Sequence, residues 1–137
     1  MDPLAHARYP LAEHAAPDLR AGSGRPLSAI SPEAALAGEL SMADLQIRPE
    51  TLRAQAAVAR QAGYPRLAEN LERAAELTSV PNDEILQMYH RLRPERSTYA
   101  ELAELADRLE QRYQAPACAA FVREAAAVYQ ARGLLRQ

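Results

Sequence analysis

Along most of the chain after residue 31, apolar residues recur every three or four positions, and a proline opens nearly every such stretch. That spacing puts one face of an α-helix toward a core. Proline fits the first turn of a helix but breaks its interior. Pro32, Pro49, Pro65 and Pro81 fall sixteen or seventeen residues apart, and the segments between them do not match one another, so they punctuate the chain without making a repeat. The pattern predicts helices from Pro32 to about Leu40, from Pro49 to Ala62 with Gly63 as the stop, from Pro65 to about Thr78, and from Pro81 to about Leu92. Leu67, Leu71, Ala74 and Leu77 are expected on the buried face of the third, and Ile85, Met88, Tyr89 and Leu92 on that of the fourth. Thr98 followed by Glu101 is a capping box, opening a helix with Leu102, Leu105, Leu109 and Tyr113 in a stripe to about Arg112. Pro116 opens the last helix, where Cys118, Phe121, Val122, Ala125 and Val128 share a face until Gly133. The short connections imply consecutive helices packed largely antiparallel.

Residues 1–31 carry no such period. Pro3, Pro10, Pro17 and Pro26, with Gly22 and Gly24, leave no room for a long helix or strand. The segment reads as a flexible tail or as an extended arm ordered only against another surface, with Tyr9, Pro10 and Leu11 as its apolar anchor. The expected architecture is all-α: an irregular N-terminal arm over 1–31 and a domain of about five to six short helices over 32–137.

Composition agrees with helices. The 137 residues include 30 Ala and 18 Leu against four Val and three Ile, and seven aromatics in all. Ala and Leu favour helix and Val and Ile favour strand. Alanine buries little area, at about 25 cal/mol per Å², so the core is thin and a partner is expected to support it. Sixteen arginines and no lysine face eighteen acids, giving net −2. No basic face for neutralising phosphates emerges, which argues against nucleic acid. One cysteine permits no internal disulfide and suits a reducing compartment. The start, Met-Asp-Pro-Leu-Ala-His, does not read as a secretory leader, and no stretch approaches the roughly 20 apolar residues that span a bilayer. A cytoplasmic protein is expected.

Candidate chemistry is sparse. Cys118 lies among Ala117, Ala119 and Ala120, the setting of a small buried hydrophobe more than of a nucleophile. His6, His14 and His90 show no metal-ligand spacing. Glu69 and Arg73 are a favourable i,i+4 pair, and Glu72 and Glu76 an unfavourable one. The densest polar cluster is Arg91-Leu-Arg93-Pro-Glu-Arg96-Ser-Thr98 at a helix–helix junction. Its arginines read either as partners for the carbonyls ending the fourth helix or as an interface patch for carboxylates. The tyrosines at 64, 89, 99, 113 and 129 read as edge-of-core residues. From the residues alone, no catalytic, cofactor-binding or metal-binding residue is expected.

The run from Ile47-Arg-Pro-Glu-Thr-Leu-Arg to Gly63 resembles the small subunit of adenosylcobalamin-dependent diol and glycerol dehydratases. So do Arg73-Ala-Ala-Glu-Leu-Thr-Ser-Val-Pro81, Leu92-Arg-Pro-Glu-Arg-Ser-Thr98, Cys118-Ala-Ala-Phe-Val-Arg-Glu-Ala-Ala126 and Tyr9-Pro-Leu-Ala12. Tyr64-Pro65 departs from the polar, basic residues expected there, and Ala15 to Pro26 matches poorly. The resemblance implies a dimer of heterotrimers. Its large subunit, a TIM barrel, holds substrate and metal ions, and cobalamin sits between the large and medium subunits. In such enzymes a radical from the cofactor's cobalt–carbon bond converts propane-1,2-diol or glycerol to an aldehyde. The small subunit supplies no catalytic group and braces the large one. On this reading Tyr9, Pro10, Leu11, Arg91, Arg93 and Arg96 are expected to touch the large subunit, and residence in a bacterial microcompartment is left open. The rivals are a free-standing helical adaptor, a small DNA-binding regulator and a thiol enzyme using Cys118.

Overall fold

A computed structural model describes residues 9–137, and the expectations for Pro3, His6 and the leader lie outside them. Among the described residues there are eight α-helices and no strand, two isolated bridges aside. The helices are α1 (Leu11–His14), α2 (Pro32–Leu36), α3 (Met42–Leu45), α4 (Pro49–Gln61), α5 (Pro65–Leu77), α6 (Asn82–Arg91), α7 (Tyr99–Gln111) and α8 (Pro116–Arg132). Pro32, Pro49, Pro65 and Pro116 each begin a helix, and Pro81 caps α6, so the proline punctuation holds. Gly63 (φ +87°) and Gly133 (φ +68°) take the left-handed conformation that ends a helix and that glycine adopts without penalty. The helix expected to reach about Leu40 closes at Leu36, and α1 and α3 had no periodic signal to predict them. The chain divides into two compact units, the first ending at Ala75 and the second comprising Glu76–Gln137, with the division inside α5.

The first unit orders much of the N-terminal segment. Leu11, Ala15 and Leu19 form a buried cluster with Ala54 and Val58 of α4. Residues 16–18 and 27–29 make single 3-10 turns. Further on, buried Asp44 gathers the loops. Its carboxylate accepts from the Ser41 backbone N–H at 2.7 Å, from Arg25 Nε at 3.2 Å and from the Ser23 hydroxyl. The Ser23 hydroxyl above all, then the Ser41 N–H, hold the Asp44 carboxyl at about 2. Arg25 also donates to the Glu39 carbonyl at 2.9 Å, tying residue 25 to the middle of the α2–α3 connection.

The expected leucine face of α5 is corrected. Ala68 and Ala75 are its buried residues, while Leu67 is half exposed and Leu71 sits at the margin. Ala56 and Ala59 of α4 cluster with Ala68, and only side chains that small let the helices approach closely. The Arg60–Glu72 ion pair, 2.8 Å, clips the same two helices together at the surface.

The second unit has the larger core. Leu102, Leu105 and Leu109 of α7 meet Met88 of α6 and Cys118, Ala119, Val122 and Ala126 of α8. Each fully buried leucine contributes roughly 1.5–3 kcal/mol. α7 and α8 are the closely packed pair. On α8 the buried row runs through residues 118, 119, 122 and 126, so Phe121 and Val128, expected inside, lie largely outside it.

Candidate functional site

The second unit contains the polar cluster singled out in the sequence, and its architecture starts at helix ends. The first backbone N–H groups of a helix have no partner within it. α7 solves this locally: Glu101 N–H donates to Thr98 Oγ1 at 3.2 Å, and Thr98 N–H donates to Glu101 Oε2 at 3.0 Å. That N–H, and then the Arg136 guanidinium, hold the Glu101 carboxyl below its ordinary value. α8 cannot do the same, because its N-cap is Ala115. Glu76, forty-one residues upstream, takes the role instead. Its two carboxylate oxygens accept from Ala117 N–H at 2.9 Å and Cys118 N–H at 2.8 Å. By spacing alone Glu72 and Glu76 make an unfavourable i,i+4 pair. In the structure each carboxylate has its own cationic or N–H partner.

The junction between α6 and α7, residues 92–98, is clamped from several sides. Ser97 Oγ donates to the Arg91 carbonyl at 2.9 Å, and the Tyr129 hydroxyl to the Leu92 carbonyl at 2.6 Å. Glu95 N–H donates to the Leu134 carbonyl at 2.8 Å, and Arg136 N–H to the Ser97 carbonyl at 2.9 Å. Glu95 is held at φ +64°, a left-handed conformation that costs a non-glycine residue roughly 1–2 kcal/mol. The carbonyls of Arg91 and Leu92 are thus served by a serine and a tyrosine, and among the described residues the expected arginine support is not found. Arg93 and Arg96 are exposed, while Arg91 is half-buried in a cleft with Glu84, Gln87, Met88, Leu105 and Arg108. That cleft holds about 10 Å³, room for no more than a single water.

The N-terminal anchor divides. Leu11 is spent inside the first unit, among Ala15, Leu19, Ala54 and Val58, and so is not presented to another surface. Tyr9 and Pro10 stay exposed. Tyr9 lines an open hollow of about 630 Å³ with Gln55, Val58, Ala59, Ala62, Tyr64, Leu67 and Leu71. Its volume suits a ligand site, but among the described residues its walls carry no carboxylate, histidine, lysine or cysteine. Tyr64, Tyr89 and Tyr99 are exposed, against the edge-of-core expectation, whereas Tyr113 and Tyr129 pack on the core. Tyr113 donates to Glu84, and that bond raises its phenol above the ordinary value.

The remaining candidates show no reactive arrangement. Cys118 is buried in the α7–α8 core with its N–H on Glu76. His14 and His90 are exposed. Among the described residues no three of His, Cys, Asp and Glu converge as metal ligands, and no helix is long and apolar enough to cross a membrane.

Comparison with known proteins supplies what the geometry does not. Residues 4–136 match the family described as the dehydratase small subunit. A propanediol dehydratase small subunit from Citrobacter freundii is 51% identical over 128 residues, 93% of this chain and 74% of its own. One from Salmonella typhimurium is 50% identical with the same coverage. With residues 4–136 matched by the family model and about half of the residues identical to these relatives across 93% of the chain, the chain belongs to the dehydratase small-subunit family.

Proposed function

We propose that this chain is the non-catalytic small subunit of an adenosylcobalamin-dependent dehydratase, a lyase that converts propane-1,2-diol or glycerol to an aldehyde. The observation that carries the reading is the match, at about half identity across 93% of the chain, to propanediol dehydratase small subunits. The role is to brace the large catalytic subunit in a dimer of heterotrimers, in the cytoplasm or within a bacterial microcompartment. Binding only the assembled form favours that form by mass action.

The described residues do not fit the cofactor. His14 and His90 are exposed, neither lines the 630 Å³ hollow, and the hollow's polar groups are a glutamine and two tyrosines. On this reading adenosylcobalamin, which would supply the radical chemistry, is held by the large and medium subunits. On the same reading what the chain contributes is a surface for its partner. Polar contacts at Asp44, Glu76 and Glu101 fix loops and helix ends.

The test is co-expression with large and medium subunits from the same host, with and without this chain. Aldehyde formation from propane-1,2-diol and adenosylcobalamin is then measured alongside the sedimentation of the complex. The expected result is co-sedimentation, and lower or less durable activity when the chain is omitted. Turnover by the isolated chain, or its failure to join the complex, would refute the reading.

A further inference from the structure

No further inference is drawn: the strongest candidate, the open apolar hollow of the first unit beside Tyr9, Gln55, Tyr64 and Leu67, carries nothing because nothing in the structure shows what covers it.

Discussion

Glu76→Ala should destabilise the chain by about 2 kcal/mol, although Glu76 looks like one more acid on the surface of a helix. Its carboxylate caps the start of α8, accepting from Ala117 and Cys118 at 2.9 and 2.8 Å. Losing a helix cap costs roughly 0.5–2 kcal/mol. Removing a negative charge from that end costs a further 0.3–1 kcal/mol or so. The site is half-buried, so water replaces only part of what is lost. Glu76→Gln keeps an acceptor and sheds the charge, and should cost about half as much. For a chain of this size the alanine variant should melt about 8 °C lower. The assay is urea and thermal unfolding of the full chain followed by far-UV circular dichroism. Glu124→Ala, an exposed acid on α8 itself, serves as control and should stay within about 0.5 kcal/mol of wild type. If Glu76→Ala also stayed within that margin, the cap would contribute nothing and the account of α8 would be wrong.

Four other outcomes follow from the same structure. Leu102→Ala, at a fully buried position of α7, should cost about 3 kcal/mol in urea melts, since it leaves a cavity the neighbours fill only in part. Acid should weaken the fold between about pH 4 and pH 2. There the unfolded chain takes up a proton at Asp44 that the folded one, with its carboxyl at about 2, refuses. Urea melts across that range should show a slope that Asp44→Asn reduces. Gly133→Ala should cost about 1 kcal/mol by thermal melting, from backbone strain alone, because the space around an added Cβ is open. Cys118 should react slowly with a thiol reagent in the native chain and rapidly in denaturant, as a buried thiol does.

The helices were legible where the physics is local. Proline at a first turn, glycine in the left-handed conformation and the Thr98–Glu101 box each act within one turn, and all are found where the sequence placed them. The four-residue helices α1 and α3 were not legible, because four residues contain no period. Which face of α5 or α8 is buried depends on how closely a neighbour approaches. The larger apolar residues Leu67 and Phe121 therefore misled, while Ala68 and Val122 occupy the interior. Glu76 was missed for a different reason: its partners lie forty-one and forty-two residues away, and no short-range pattern encodes that contact. At the arginine junction the cluster was visible. That Ser97 and Tyr129 would take the carbonyls, leaving Arg93 and Arg96 outward, was not.

Twelve of the twenty-three buried apolar residues among those described are alanine. Alanine has no side-chain torsion to freeze on folding, so such an interior is cheap to order and leaves little slack. At those positions nearly every mutation enlarges the side chain, and enlargement in a close-packed setting strains the backbone. The positions free to drift are the outward leucines and tyrosines, whose size the interior never feels. A change of binding partner can therefore arise there without disturbing the fold beneath.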